Sequence, residues 1–412
     1  MKSYTILIIG GGPAGLFCSL LLGKGGLKTL LLEKMPSCGR KLLLSGSGQC
    51  NLTHTGPISE FISHYGEHGK FIRSALMHFS NDKLISFFQD RGVEFRDDGN
   101  GKYFPESGKA RDILSVLLKE AEEAGVSIHT EEPVLSISHD TSGFTVTTRI
   151  DTYHGTGVVL ATGGSTYPAT GSTGDGYSLA QALGHTIAEP GPALTPIHIP
   201  NFPFRDLSGI SFSQVPLTLY REKKKIRAAR GDLLITHTGF SGPGILDMSR
   251  YFRAGDELRV SFLQYQNVNT AREDLISRLS SGGVKQVKTI LTGLPLPERF
   301  VRKIMELAEA PPDVTCAQFP KELRNRLITM LLEYPVQEMR PGGENEAMVS
   351  RGGISLDEVK KDSMESRIVP GLYCIGEVLD IDGDCGGYNL QAAFSTGALA
   401  AEHILKKMNI AL

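Results

Sequence analysis

Residues 5–15 read Thr5-Ile6-Leu7-Ile8-Ile9-Gly10-Gly11-Gly12-Pro13-Ala14-Gly15. The apolar half is typical of a buried parallel strand, and the apolar residues 16–22 that follow the glycines continue as a helix. In the Gly-x-Gly-x-x-Gly motif between them, the first glycine permits a tight turn, the second lets a pyrophosphate approach the backbone, and the third lets the helix pack closely. The free N–H groups of the helix then face the phosphates. The predicted contacts are Gly10, Gly12, Pro13, Ala14 and Gly15.

A carboxylate stands where a dinucleotide site of this kind needs one. Residues 28–32 form a second apolar run, and Glu33 follows it directly. An acid about twenty residues after the glycines binds the ribose hydroxyls of an adenosine. Glycine-rich turns are common, so an ordinary strand–turn–helix corner is the alternative interpretation. That alternative does not explain the acid at the end of the second strand, so we predict a bound dinucleotide, with Glu33 and Lys34 in its site.

Composition limits the function classes. The chain has 412 residues, which suits two or three domains, and 40% of them are hydrophobic. Its 43 basic and 45 acidic side chains give a net charge of −2, so no global field favours nucleic acid or an anionic membrane. The six cysteines form no Cys-x-x-Cys pair or zinc spacing. With no signal peptide or membrane-length apolar run, we expect a cytoplasmic protein that contacts no membrane.

The order of predicted elements indicates an α/β fold with a discontinuous, Rossmann-like nucleotide domain. Strands and helices alternate to about residue 190, a proline-punctuated β-rich region follows, and residues 270–333 look helical. The tail returns to strand, glycine turn and helix. We predict a nucleotide-binding domain from residues 1–190 and 351–412, a β-rich insert from 191–255 and 334–350, and a helical insert from 256–333.

The segment from Gly39 to Thr53 is too rich in glycine and polar residues for a core element. Arg40 and Lys41 have the charge to neutralise a pyrophosphate or an anionic flavin, and the polar residues after them can donate to a planar heterocycle. A solvated surface loop is the alternative. Cys50 is either a redox thiol or a small packed side chain, and packing is favoured because no resolving partner is spaced near it. The predicted site residues are Arg40, Lys41, Ser45, Gly46, Gly48, Gln49, Cys50 and Asn51.

Two later clusters repeat the glycine pattern. In the first, a strand ends in Ala161-Thr162-Gly163-Gly164, and Thr173 or Asp175 can cap the next helix. In the second, residues 376–393, four carboxylates suggest a calcium loop, but no acid occupies its closing position. We instead expect Glu377 to accept from a ribityl hydroxyl and the Asn389 end of the last helix to face the flavin pyrimidine oxygen. The site residues predicted from these regions, and from the strand at 134, are Val134, Ala161, Thr162, Gly163, Asp175, Gly376, Glu377, Gly387, Tyr388, Asn389 and Leu390.

One dense basic run lies between two strand-like segments. It comprises Arg221, Lys223, Lys224, Lys225 and Arg227, with Arg230 close by. An exposed hairpin turn is the favoured interpretation, and an RNA-contacting loop is the alternative.

The combined motifs resemble the YhiN/BaiN family of FAD-dependent oxidoreductases, within the flavoproteins that have two dinucleotide-binding domains. The resemblance rests on the N-terminal glycine motif with Glu33, on residues 39–51, on Thr236-His237-x-Gly239-x-Ser241-Gly242-Pro243, and on residues 376–391. It implies an FAD domain, a β-barrel-like insert and a small helical insert. It also implies NAD(P)/FAD-dependent activity, with members that reduce steroid or bile-acid enones and others that resemble aminoacetone oxidases. Gln49 stands where the family usually has Arg, which removes a positive charge near the flavin region.

The redox partner is less clearly marked. No second strand–Gly-x-Gly-x-x-Gly–helix is present, so NAD(P)H is expected as a transient co-substrate. The favoured function is an FAD-dependent oxidoreductase that reduces an activated C=C or related small organic substrate. An oxygen-using amine or aminoketone oxidase and an RNA-binding flavoprotein are the alternatives. His237 and Tyr167 lie in loops that can face a cleft, but a loop-fixing histidine is favoured over a proton donor and no catalytic residue is assigned. Nucleic acid is not the favoured partner, and the oligomeric state stays open.

Overall fold

The computed structural model describes residues 2–410, with strands β1–β19 and helices α1–α12 numbered in chain order. The chain divides into two compact units. Unit 1 comprises Met1–Ala193 and Glu344–Leu412, and unit 2 comprises Leu194–Gly343. Within residues 2–410, every helix is too short or too polar to cross a lipid bilayer.

Unit 1 is built around a seven-stranded, mostly parallel sheet in the order β6-β2-β1-β9-β8-β7, with β19 also paired to β9. Ile6, Leu7, Ile8 and Ile9 at the end of β1 are all buried, as expected of a strand covered on both faces. The strands of unit 1 are β1 Lys2–Ile9, β2 Thr29–Leu32, β3 Thr53–His54, β4 Phe95–Asp97, β5 Lys102–Pro105, β6 Ser127–His129, β7 Val134–Asp140, β8 Gly143–Thr148, β9 Thr152–Leu160, β10 Ile187–Ala193, β18 Val349–Ile354 and β19 Leu372–Cys374.

The helices of unit 1 cover this sheet, and two of them meet closely. A Cβ added to Gly397 in the last helix would lie 2.9 Å from the carbonyl oxygen of Ala14 in the first, so the two backbones are in close contact. The start of the first helix is thereby fixed against the last one. The helices are α1 Pro13–Lys24, α2 Ile58–Phe61, α3 Gly69–His78, α4 Asn81–Gln89, α5 Ala110–Glu123, α6 Asp175–Ala182 and α12 Tyr388–Lys407.

Unit 2 combines an antiparallel sheet with helices around one core. The sheet has seven strands in the order β16-β15-β12-β13-β14-β11-β17. Phe204, Phe262 and Phe300 pack against one another in this core, with ring centroids 4.6–5.7 Å apart. The elements are β11 Ile197–His198, β12 Ser211–Arg221, β13 Lys224–Ile235, β14 Gly239–Ser241, β15 Glu257–Val260, β16 Tyr334–Val336, β17 Arg340–Pro341, α7 Pro243–Ser249, α8 Val268–Ser281, α9 Val287–Thr292, α10 Glu298–Leu307 and α11 Lys321–Leu332.

The predicted α/β class, with a Rossmann-like sheet and a β-rich insert, is confirmed. The chain passes between the units at residues 193/194 and 343/344. The expected return of residues 347–349 to the β-rich insert is wrong, because Val349 begins β18 and pairs with Ala193 of β10 inside unit 1. Strands and helices of the insert share one hydrophobic core, and their division at residue 255 stays a prediction.

Candidate functional site

In the glycine loop between β1 and α1, two glycines are needed for close backbone contacts and a third borders open space. A Cβ on Gly10, whose φ is +109°, would lie 2.4 Å from the carbonyl oxygen of Ala161, and a Cβ on Gly15 would lie 2.0 Å from that of Gly10. Both glycines are therefore required by close backbone contacts. A Cβ on Gly12 would meet no atom of the described part of the chain within 4 Å. Gly12 is also the N-cap of α1 and no side chain caps the helix, so the first turn faces open space.

The carboxylate of Glu33 is fixed beside this loop at the end of β2. One oxygen accepts a hydrogen bond from the Gly11 N–H at 2.7 Å, and the other accepts from the Met35 N–H at 2.8 Å. Each oxygen retains further lone pairs for a ligand hydroxyl. Ala161, Thr162 and Gly163 follow β9, the strand beside β1, and Ala161 N–H donates to the Ile9 carbonyl. Val134 begins β7 and pairs with Thr148.

Two cationic side chains of the 39–53 segment, Lys41 and Arg40, lie at this site and differ in their hydrogen bonding. Lys41 Nζ donates to both carboxylate oxygens of Glu377 and to Thr166 Oγ1, each at 2.8 Å. Glu377, expected to accept from a ribityl hydroxyl, also accepts from the Ser350 N–H at 2.8 Å. Arg40 is different, because its Nε is buried and has no hydrogen-bond partner among residues 2–410. A buried, unpaired guanidinium N–H suits an anionic ligand.

Lys34 joins the second glycine cluster to the first. Its ammonium group contacts Thr173 and Asp175. Burial opposes ionisation of Asp175, but the hydrogen bonds from Lys34 and Thr173 bring the pKa of the carboxyl below its usual value. The expected capping of α6 by Thr173 or Asp175 is wrong, because Gly174 is the N-cap and no side chain caps the helix. The two residues instead hold Lys34.

Residues Leu42–Gly48 form two short helical turns broken at Ser45, Gly46 and Ser47. Asn51, with its amide oriented to fit its neighbours, donates to the Thr53 carbonyl and accepts from the Gly387 N–H, both at 3.1 Å. Gln49 Oε1 accepts from the Arg96 guanidinium at 2.8 Å. A guanidinium therefore does lie beside Gln49, supplied from β4 and not from the segment itself. Gly48 borders open space, since an added Cβ would meet only the Leu43 carbonyl oxygen, at 3.9 Å.

Cys50 is fully buried, and burial raises the pKa of its thiol to about 12. The thiolate is the reactive form of cysteine, so this environment opposes redox chemistry. The structure therefore favours a packed side chain.

The last helix closes the site from the other end of the sequence. Its N-cap is Gly387, whose φ is +93°, and a Cβ there would lie 2.6 Å from the Thr53 backbone. The side chain of Asn389 accepts from the Gly383 N–H at 2.8 Å and donates to the Gly383 carbonyl at 2.9 Å, so it closes its own loop. Gly376 lies beside Ala14 of α1, and Leu390 in the first turn of α12 is half-buried. The starts of α1 and α12 and the 45–54 segment thus meet in unit 1.

Sequence reasoning missed the histidines around Tyr388. His64 and His54 both lie nearly parallel to the tyrosine ring, with centroids at 4.1 and 5.2 Å. His64 Nδ1 is 3.0 Å from Asp384 Oδ2, and His68 Nε2 is 4.0 Å from Asp380 Oδ2. These pairs join positions more than 300 residues apart, and no local motif marks the histidines. Of the two residues considered earlier, Tyr167 lies in unit 1 with a left-handed φ of +56°, and His237 is an exposed residue of unit 2.

Comparisons with known proteins agree with this architecture. A family model described as the HI0933-like protein Rossmann domain matches residues 4–403. The ribosomal RNA dihydrouridine synthase of Escherichia coli (strain K12) is 31% identical over 98% of this chain and 99% of its own. The 3-dehydro-bile acid delta(4,6)-reductase of Clostridium scindens is 29% identical over 95% and 97%. Among solved structures, 3-ketosteroid delta1-dehydrogenase from Sterolibacterium denitrificans matches with a TM-score of 0.52 at 13% identity, over 99% of this chain and 100% of its own, which concerns the fold alone.

Proposed function

The chain belongs to the HI0933-like Rossmann family of FAD-dependent oxidoreductases, and from this premise we propose that it reduces a C=C bond conjugated with a carbonyl, using NAD(P)H as electron donor. The observation that carries the proposal is the chemistry shared by two unlike relatives. Dihydrouridine differs from uridine by two hydrogens added across such a ring bond, and a delta(4,6)-reductase of a 3-dehydro-bile acid removes double bonds conjugated with a ketone. Both relatives align over nearly the whole chain.

The residues of unit 1 fit FAD. We assign the pyrophosphate to the open face of Gly12 and the first-turn N–H groups of α1, where Arg40 would supply its unpaired Nε–H. Glu33 would hold the adenosine ribose, as its position after β2 suits. The Lys41–Glu377 pair would meet the ribityl chain. The remaining predicted residues of the 45–51 and 387–390 segments would surround the isoalloxazine ring.

When bound, FAD supplies the hydride for the reduction. The chain's own residues provide position and charge. The backbone N–H groups of α12 lie at the positive end of a 20-residue helix, and they would stabilise negative charge on a reduced ring system. Asn51 holds this helix start in place through the Gly387 N–H. Arg96, against Gln49, keeps a further cation beside the same segment.

The electron donor is tested by an anaerobic absorbance titration of the FAD-loaded protein. We expect NADH or NADPH to bleach the flavin band, and cyclohexenone or a steroid enone to restore it. Failure of both nucleotides to bleach the flavin would reject NAD(P)H as donor. Bleaching with no recovery on any enone would reject the proposed reaction while leaving the donor assignment intact.

A second candidate substrate is a uracil carried in RNA, and one feature of unit 2 favours it. The β12–β13 turn exposes Lys223, Lys224 and Lys225, and none of them has an ion pair among residues 2–410. Two relatives at 30–31% identity are named as ribosomal RNA dihydrouridine synthases. The test replaces the enone with an unmodified ribosomal RNA transcript and with free uridine. Flavin reoxidation by the transcript alone would select RNA, and reoxidation by enones alone would select a small molecule.

A further inference from the structure

Reduction of a conjugated C=C needs a proton as well as a hydride, and the proposed function names no donor for it. The placement proposed for the isoalloxazine ring puts this donor where the 45–54 segment and the start of α12 meet. Cys50 is buried there and its thiol pKa is raised to about 12, which makes it a poor acid near neutral pH. The histidines around Tyr388 carry imidazoles, the side chains that most often transfer protons in enzymes.

His64 is the most firmly oriented of these histidines. Its imidazole stacks on Tyr388 at 4.1 Å with an interplanar angle of 13°, and its carbonyl oxygen accepts from the Asp384 N–H at 2.9 Å. The next residue, Tyr65, donates its hydroxyl to the Tyr388 carbonyl at 2.7 Å. Ring, backbone and neighbouring side chain are therefore all anchored to the α12 start.

The contact with Asp384 also fixes which nitrogen can react. A carboxylate only accepts hydrogen bonds, so the 3.0 Å contact requires the hydrogen on His64 Nδ1. The other nitrogen, Nε2, has no hydrogen-bond partner among residues 2–410, and the side chain is about one-third exposed. This arrangement matches the carboxylate–imidazole pairs in which the acid holds the tautomer and the far nitrogen exchanges a proton.

The two neighbouring histidines lack this arrangement. His54 stacks on Tyr388 at a longer 5.2 Å. Its Nδ1 lies 3.0 Å from the Thr55 carbonyl and contacts no carboxylate of the described residues 2–410. His68 is 4.0 Å from Asp380, which is too long for a hydrogen bond. Both serve as matched controls. His54 controls for stacking on Tyr388, and His68 controls for a nearby carboxylate.

We propose that His64 donates the proton in this reduction, with its imidazole positioned by Asp384. The proposal rests on the proposed function. A hydride adds to the carbon distal to the carbonyl, and the C=C electron pair moves to the adjacent carbon. That carbon takes the proton from Nε2 of His64 in its imidazolium form, which carries hydrogen on both ring nitrogens. Nδ1 keeps its hydrogen on the Asp384 side, and a proton from solvent returns to Nε2 to restore the imidazolium. Overall, one NAD(P)H and one proton are consumed and the substrate gains two hydrogens.

The kinetic test separates the two half-reactions of the FAD-loaded protein. For His64→Gln we expect unchanged FAD affinity and unchanged bleaching by NAD(P)H, with reoxidation by the enone or RNA slowed about 10²- to 10⁴-fold. The controls His54→Gln and His68→Gln should reoxidise within a few-fold of the wild type. Wild-type-like reoxidation of His64→Gln overturns the proposal. Loss of FAD binding or of bleaching in this variant also overturns it, because the role is then structural.

A second readout does not depend on turnover. In the ¹⁵N spectrum of the apoprotein, the neutral His64 ring should carry its hydrogen on Nδ1, and Asp384→Ala should move it toward Nε2. Asp384→Ala should also lower the reoxidation rate with little change in substrate KM. A wild-type ring protonated on Nε2 overturns the positioning role. A wild-type protein whose reduced flavin no enone or RNA reoxidises removes the proposed function as well, whereas normal wild-type turnover with an active His64→Gln variant removes this inference alone.

Discussion

The glycine loop of unit 1 and the β12–β13 turn of unit 2 are both tight turns that contain left-handed residues, yet they differ in what fixes them. Gly10 has φ +109° because the Ala161 backbone leaves no room for a Cβ. At the other turn, Glu222 and Lys223 have φ +49° and +64° and are exposed. Packing explains why the glycine loop contains glycine. Packing does not explain why the β12–β13 turn carries charged side chains. Mutations in the glycine loop can therefore change stability and ligand binding separately. Mutations in the hairpin can change charge without changing packing.

The largest effect is expected from substitutions within the glycine loop. Gly15→Ala would put a Cβ 2.0 Å from the Gly10 carbonyl oxygen, so we expect a loss on the order of 3 kcal/mol in the free energy of unfolding. Gly12→Ala meets nothing within 4 Å and should change stability by less than about 1 kcal/mol. Its FAD affinity should still fall at least about tenfold, or 1.4 kcal/mol, because the pyrophosphate loses its approach.

Urea unfolding of the apoproteins and FAD titration of each variant measure the two quantities. Equal stability of Gly15→Ala and wild type would contradict the packing argument. Wild-type FAD affinity in Gly12→Ala would place the pyrophosphate elsewhere.

The same distinction explains how much of the fold was predictable. The β1–α1 loop, Glu33 after β2 and the parallel core were read from sequence because local spacing dictates them. The pairing of β18 with β10 was missed, since Val349 and Ala193 are far apart in sequence and β18 carries no register signal of its own. Gly353 in β18 packs within contact of the Leu379 backbone, a constraint that only the folded chain reveals.

The second effect concerns the hairpin, defined as residues 221–230. Arg221 is held by Asp256 and Arg227 stacks over Tyr251, whereas Lys223, Lys224 and Lys225 are exposed at the turn. If RNA binds here, Lys223→Glu, Lys224→Glu and Lys225→Glu together should lower the salt dependence of RNA affinity by about one log–log unit per lysine. Thermal stability should not change, because no packing is lost.

The matched control reverses three other exposed lysines, Lys285, Lys321 and Lys361, and so has the same net charge. Affinity for a ribosomal RNA transcript is measured between low and physiological salt. An equal loss in both triple variants would indicate a net-charge effect, and no loss in either would leave the hairpin as a solvated turn.

The third effect tests the unpaired Nε–H of Arg40, whose Nη2 donates to the Ala169 carbonyl at 3.5 Å. Arg40→Met should weaken FAD binding about tenfold or more, yet leave the apoprotein as stable or more stable, because an unsatisfied buried N–H costs about 1–3 kcal/mol. Lys41→Met is the contrasting variant. Its ammonium group pairs with Glu377 and Thr166, so its loss should lower apoprotein stability as well as FAD affinity. Equal destabilisation of the apoprotein by both variants would contradict the distinction.

The candidate site was predicted unevenly for a physical reason. Positions on glycine-rich loops after strands are recognisable, because backbone geometry restricts their residue types. The partners of those residues are not, since Lys41 with Glu377, Gln49 with Arg96 and His64 with Asp384 each form only on folding. Position 49 illustrates this, because it holds Gln and the positive charge beside it comes from Arg96 of β4. Sequence therefore named loops that the structure brings together in unit 1, and it left the charge pairs among them unpredicted.

The last comparison concerns the pH dependence of stability at two carboxylates, one in each unit. Burial alone would raise the pKa of Glu365, but hydrogen bonds from Lys360 and Lys407 hold it down to about 2. Lys288 and Arg302 bring the pKa of Glu298 in unit 2 to about 2 as well. The side chains are 5% and 54% exposed, so water and salt screen the second pair far more.

A folded-state pKa below the unfolded value of about 4.3 gives stability that is present above that value and lost as pH falls toward 2. Glu365→Gln should therefore lose about 2 kcal/mol at pH 7 and show a flatter fall in stability between pH 5 and pH 2. Glu298→Gln should follow the wild-type curve at physiological salt. Urea midpoints across this pH range measure both, and parallel curves for the two variants would mean that burial does not decide the value of these ion pairs.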